Sequence, residues 1–166
     1  ILSRTEYETG IDRAHSQFRQ LNKNKRGNYL IPLISTSEVR EISPSGKLIN
    51  SFKVEGTPFT TLESTDDNYW IACGDGHALI EVNPNDGQII RRYNENDIKG
   101  VRLFFTAGLC KSADDNLYIC NWQGHSHDAN AANSPQLFEI NLKGEVIWSL
   151  NDNQTFGMIS AVSTIN

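Results

Sequence analysis

One pattern of residues recurs three times along this chain. Gly27-Asn28-Tyr29-Leu30-Ile31 leads to Val39-Arg40-Glu41-Ile42, then to Ser45-Gly46-Lys47-Leu48-Ile49. Asp67-Asn68-Tyr69-Trp70-Ile71 leads to Leu79-Ile80-Glu81-Val82, then to Asp86-Gly87-Gln88-Ile89-Ile90. Asp115-Asn116-Leu117-Tyr118-Ile119 leads to Leu137-Phe138-Glu139-Ile140, then to Lys143-Gly144-Glu145-Val146-Ile147. Self-similarity at a period of roughly 40 to 50 residues marks stacked supersecondary units, and units made of short strands are propeller blades. The fold class read from this is all-β: a β-propeller of four-stranded antiparallel blades.

Each repeat divides into strands A to D, counted from the axis outward. Strand A is expected near 17–21, 59–63 and 106–111, and strand B at 29–33, 69–73 and 117–122. Strand B is rich in aromatic and β-branched residues, which suit a pleated, half-buried surface. Strand C carries the Glu-Ile or Glu-Val pair, and strand D follows a glycine turn. The blades are placed at 15–52, 57–93 and 104–150. Residues 1–5 align with Ile89–Tyr93 and predict the outer strand of a preceding blade, while 157–165 predict an inner, ring-closing strand. No segment predicts a helix.

Three blades do not close a ring, because propellers use about four to eight. The chain is therefore expected to be the C-terminal portion of a longer propeller. The remainder of that propeller, or a second copy, is the partner needed for closure.

Composition removes several classes of function. A net charge of −5 and a pI near 5.3 argue against a nucleic-acid partner, which requires clustered Lys and Arg. The basic run Asn22-Lys23-Asn24-Lys25-Arg26 falls in a hairpin turn and is expected to be solvated. No apolar stretch approaches the ~18 residues of a transmembrane segment. Cys73, Cys110 and Cys120 lack paired spacing and are expected to be buried small hydrophobes. Glu41, Glu81 and Glu139 recur at one strand C position, which signals a shared structural task. Trp70 and Trp148 are expected to pack between blades, and Asp66-Asp67 and Asp114-Asp115 to be turn residues.

Propeller topology sorts the loops by face. D-to-A and B-to-C loops emerge on one side, and A–B and C–D turns on the other. His15 lies at a D-to-A junction, His77 in the B–C loop of the second repeat, and His125 and His127 in that of the third, so all four histidines share one face. The third B–C loop, from Trp122 to Pro135, is the longest irregular segment and reads as a mobile excursion. The candidate ligand-binding residues are His15, Asp75, His77, Arg102, Trp122, His125, His127 and Asp128. Trp122 would be a stacking platform, with imidazole, amide, carboxylate and guanidinium groups as hydrogen-bonding partners. The alternative is acid–base chemistry, or a transition metal, at the histidines. No catalytic residue is assigned.

The segments Asn28-Tyr29-Leu30-Ile31, Val39-x-Glu41-Ile42-Ser43-Pro44-Ser45-Gly46-Lys47, Asn121-Trp122-x-Gly124-His125 and Gln136-Leu137-Phe138-Glu139-Ile140-Asn141-x-Lys143-Gly144-Glu145-Val146-Ile147-Trp148 resemble the quinoprotein alcohol dehydrogenase-like propellers. Within that group the chain is most similar to secreted or surface-layer-type propellers of Bacteroidetes, and distantly similar to arylsulfotransferase-type propellers. The resemblance implies export to the periplasm or cell surface. The alanine-x-aspartate-x-x-threonine-glycine signature of quinone-binding repeats is absent. Its place is taken by Ser43-Pro44-Ser45-Gly46, Asn83-Pro84-Asn85-Asp86-Gly87 and Asn141-Leu142-Lys143-Gly144. Pyrroloquinoline quinone is accordingly not expected, and no cofactor is assigned. The leading expectation is binding of a small molecule, glycan or protein. An enzyme (lyase, hydrolase or transferase) is the runner-up, and a structural surface protein the third.

Overall fold

The computed structural model describes residues 4–164. Twelve strands form three four-stranded antiparallel meanders. The first holds β1 (Asn22–Lys23), β2 (Tyr29–Leu33), β3 (Glu38–Ile42) and β4 (Leu48–Lys53). The second holds β5 (Thr60–Glu63), β6 (Tyr69–Ala72), β7 (Leu79–Val82) and β8 (Ile89–Tyr93). The third holds β9 (Thr106–Lys111), β10 (Leu117–Asn121), β11 (Leu137–Ile140) and β12 (Val146–Leu150). Within each sheet the spatial order is the chain order, so these are propeller blades. The inner strands sit together: β5 packs on β1 and β2, and β9 packs on β5 and β6.

The pleat decides what each strand buries. On β6, Tyr69 and Ile71 face the first blade and meet Leu30, Val39 and Phe52. Trp70 and Ala72 face the third and join a core with Leu109, Leu117, Ile119 and Phe138. All four β6 residues are buried, because a strand between two neighbours must be apolar on both faces. The turns follow the sequence pattern. Asp67 and Asp115 both take φ of 61° at the A–B turns, a left-handed conformation that aspartate tolerates better than most residues.

Several expectations change. Strand A of the first blade was placed at 17–21, yet the paired strand is only Asn22–Lys23. Gln17 and Ser16 accept from the amides of Ile34 and Ser35 instead, so pairing resumes after an interruption rather than running continuously. The end segments form no ladder among the described residues, although both lie along their blades. Thr5 donates to the Pro44 carbonyl (2.7 Å), and Arg40 donates to the Tyr7 hydroxyl (3.0 Å). Ile159 and Val162 pack beside Phe105, Ala107 and Cys120. Strand pairing requires a ladder of backbone hydrogen bonds, and these segments touch their blades through side chains and isolated bonds instead. Residues 1–3 and 165 of those expected strands lie outside the described residues.

Trp148, expected between blades, is 45% exposed and meets only Tyr118 edge-on at 6.4 Å. Its register opposite Glu139 turns it to the face of the third blade that no other blade among the described residues covers. Cys73 and Cys120 are buried, and burial pushes both thiols up to about 12; Cys110 is only half-buried, against Thr164. The basic turn is solvated at Lys23, Lys25 and Arg26, as expected, yet it is also tied to its surroundings. Asn24 is buried, and Lys25 pairs with Asp67 of the next blade at 2.9 Å. Three one-turn helices occur, at Ala14–Ser16, Ala131–Asn133 and Asn153–Phe156. No helix among the described residues is long and apolar enough to cross a membrane.

Candidate functional site

The seam between the second and third blades builds the site. Thr106 opens β9, and its hydroxyl donates to the Ala78 carbonyl (2.7 Å) while accepting from the Cys73 amide (2.9 Å). The Gly74 amide donates to the Thr106 carbonyl at 3.0 Å, which ties the second B–C loop to the third blade. This brings the Gly74 backbone onto the Phe105 ring. A Cβ at Gly74, whose φ is 41°, would lie 2.9 Å from the ring edge, so only glycine allows the approach. Asp75 and His77 follow on the exposed tip of that loop.

Asn121 fixes the other side. It ends β10 fully buried, accepts from the Phe104 amide (2.8 Å), and donates to the carbonyls of Arg102 (2.8 Å) and Pro135 (3.0 Å). Gln123 donates to the Ser134 carbonyl at 2.8 Å, closing the base of the long loop. The excursion expected to be mobile is thus pinned at its stem, and the Asn121 amide is consumed by structure rather than offered to a ligand. Trp122 and His125 project from that stem. The two rings meet edge-on at 4.7 Å, and Phe105 meets Trp122 and His125 at 5.3 Å each. Phe59, immediately before β5, meets Phe105 edge-on at 5.0 Å.

These rings wall a cavity of about 280 Å³ that also touches His15, Arg19, Asp75 and Ser160. A second cavity of about 390 Å³ shares Asp75, Phe105, Trp122 and His125, and adds His77, Glu95 and Arg102. The geometry therefore gathers His15, Asp75, Trp122 and His125 at the first cavity, and His77 and Arg102 at the second. It does not gather His127, whose side chain is exposed beyond both. Asp128 enters only through Arg102.

The charges on this face are mostly paired. His125 Nδ1 donates to Asp75 at 2.8 Å, both side chains being more than half exposed. Arg102 binds Glu95 (2.6 Å) and Asp128 (2.5 Å), which keeps its guanidinium above the ordinary range. Asp128 is held below the usual carboxylate range by the Asn130 amide and by Arg102. His77 has φ of 48° and directs Nδ1 at the Phe104 carbonyl, so that nitrogen carries the proton. His15 Nδ1 faces the Arg19 guanidinium, which only donates, so that nitrogen accepts. Among the described residues no three His, Cys, Asp or Glu side chains converge as a metal site would require.

Phe59, Phe105 and Arg19 are the site residues that sequence reading missed. A signal for the first two was present: Phe59-Thr60 and Phe105-Thr106 are the same dipeptide at the start of strand A in consecutive repeats.

The recurring glutamates do share a structural task. Glu41 is buried and accepts from Asn24 (2.7 Å), Asn28 (2.6 Å) and Tyr69 (2.9 Å), with Arg26 beside it. Burial pushes its pKa up, but these donors outweigh it and leave the group below the usual range. Tyr69 is driven up to about 12, chiefly by burial. Glu81 lies near Arg91, and Glu139 accepts from Asn116.

The sequence profile described as Mal s 1 allergenic protein-like matches residues 2–145. The chain belongs to that family. A protein of unknown function from Bacteroides caccae is 54% identical; the match covers 98% of this chain and 59% of that one, with a TM-score of 0.84. This member of the family thus spans about three fifths of that protein's length. A catalytically inactive histidine-to-alanine variant of virginiamycin B lyase from Staphylococcus aureus, solved with quinupristin, is 14% identical with a TM-score of 0.59 over 86% of this chain and 44% of that one. BamB from Moraxella catarrhalis is 12% identical with a TM-score of 0.53 over 81% of this chain and 37% of its own. At such identities the likeness is one of fold. No curated protein matches the chain.

Proposed function

We propose that this family member binds a small molecule or glycan at the rim where the second and third blades meet. The observation that carries the reading is the aromatic enclosure. Phe59, Phe105 and Trp122 come from two blades and wall one cavity, with Asp75 and His125 at its edge. Apolar walls with a few placed polar groups are what ligand sites are made of. Edge-on ring contacts contribute about 0.5–1.5 kcal/mol each and hold the walls in place without a ligand. Export to the periplasm or cell surface is part of the same proposal, and it rests on the quinoprotein-like resemblance of the sequence alone.

The test is ligand-observed NMR with a panel of aromatic and saccharide fragments. Fragments that bind the native protein should lose their signal with Trp122→Ala, while Tm falls by no more than a few degrees. Binding that survives Trp122→Ala and Phe105→Ala places the ligand elsewhere.

One observation favours a second reading, acid–base chemistry. Asp75 holds His125 by Nδ1 and leaves Nε2 free at the mouth of both cavities, the arrangement of an oriented general base. A fragment that binds equally to the native protein and to His125→Ala, but is converted only by the former, would establish it.

A further inference from the structure

Resting on the binding site just proposed, we infer that its ligand class is a small aromatic carboxylate: a flat ring seated among Phe59, Phe105 and Trp122, with its anionic group on Arg19. The argument is one of charge left over. On this rim Asp75 already receives the His125 N–H at 2.8 Å, and Arg102 is held by two carboxylates at 2.6 and 2.5 Å. Arg19 lines the aromatic cavity and has no carboxylate partner among the described residues. Its only hydrogen bonds run from one terminal nitrogen, Nη2, to the ring and carbonyl of His15 (3.1 Å to the carbonyl), so Nη1 and Nε stay unengaged.

The two His15 contacts also orient the guanidinium. A side chain that would otherwise sample many rotamers is held by one edge, with its remaining donors free. Planar paired donors match a carboxylate, and a preordered side chain forfeits less entropy on binding. Size points the same way. A volume of about 280 Å³ is slightly below the usual range of about 300–1,000 Å³ for ligand pockets, which suits one or two fused rings rather than a chain of sugars. The cavity walls are apolar, so an anion without a ring would leave them exposed to water. A ring without an anion would leave Arg19 unanswered.

The experiment is isothermal titration of the protein with three matched probes: indole-3-acetate, indole-3-acetamide and tryptamine. The acetate is expected to bind about tenfold more tightly than the acetamide, the usual gain of a hydrogen bond to a charged group at a partly exposed site, and tryptamine more weakly than either. Arg19→Gln should bring the acetate to the affinity of the acetamide and leave the acetamide unchanged. Arg19→Lys should restore part of the difference, and Trp122→Ala should weaken both probes together. Arg19 is exposed, so its replacement leaves the fold intact. Equal binding of acetate and acetamide, or a preference for tryptamine, overturns the assignment of charge while the aromatic site stands. Absence of binding by all three overturns the ligand class, and the site falls with it only if the wider fragment panel also shows no binding that Trp122→Ala removes.

Discussion

The two seams between blades come from the same repeat but are fastened at opposite ends. Between the first and second blades the fastening is at the turn end. There Glu41 is buried under donors from its own blade (Asn24, Asn28) and from the next (Tyr69). Between the second and third blades Leu117 stands where Tyr69 stood and Glu81 has Arg91 at 3.7 Å; the turn end is crossed by exposed contacts instead, Lys111 to the Thr65 hydroxyl at 3.5 Å and Arg91 to the Leu142 carbonyl. Its fastening is at the loop end, through the Thr106 hydroxyl and the Gly74 bridge. Towards that same end the first seam has Thr60 bonded to Gln20 at 3.0 Å and Asn22 donating to the Thr61 carbonyl at 2.8 Å, with nothing like the Thr106 hydroxyl bridging two backbone groups. The difference teaches that a repeat sets the wedge shape of each blade and leaves open which rim is locked. Here the rim that carries the cavities is the one locked at the second seam.

The most severe way to break this contrast is Glu41→Ala. It strands three donors in the first seam, two of them on buried residues, and should cost about 3–5 kcal/mol in urea denaturation, because unpaired buried polar groups lose their full hydration. The equivalent Glu81→Ala should cost far less; equal losses would erase the distinction between the seams.

Acid sharpens the picture on the outer face of the first blade. The Arg40 guanidinium, hydrogen-bonded to Glu38 at 2.8 Å, holds that carboxyl down at about 2 against the partial opposition of burial. A folded pKa below the unfolded value of 4.5 means the stabilisation is complete above about pH 4.5 and disappears as pH falls towards 2. Native protein should lose about 2–3 kcal/mol across that window beyond what Glu38→Gln loses. A variant that tracks the native acid profile refutes the pairing.

The smallest expected effect is at the second seam. Thr106→Val keeps the shape but removes both hydroxyl bonds, leaving the Cys73 amide and Ala78 carbonyl only their bond to each other at 2.9 Å, for about 1 kcal/mol. Thr60→Val should cost less, and only Thr106→Val should weaken binding at the aromatic cavity. A result in which both behave alike would remove the link between seam and site.

How much of this was legible follows from which forces act locally. The blades were readable because alternation and glycine turns are consequences of the pleat, and β6 shows both faces of that rule in Tyr69, Trp70, Ile71 and Ala72. The common face of His15, His77 and His125 followed from topology alone. The exposure of Trp148 follows from its face of the third blade, which no blade among the described residues covers. His127 misled because a loop shares a rim with a site without pointing into it. Phe59 and Phe105 were missed because an aromatic residue ahead of a strand reads as core, and only the third dimension shows that the core has a hollow beside it.

The pinned stem of the long loop has a consequence of its own. Asn121, Gln123 and Ser134 fasten both ends of the excursion to the blade, while Ala129 and Asn130 at its tip stay exposed. The tip is therefore a graft point: foreign peptide inserted there inherits a ready-made collar, and exchanging its contents reshapes what approaches the rim without refolding the blades behind it.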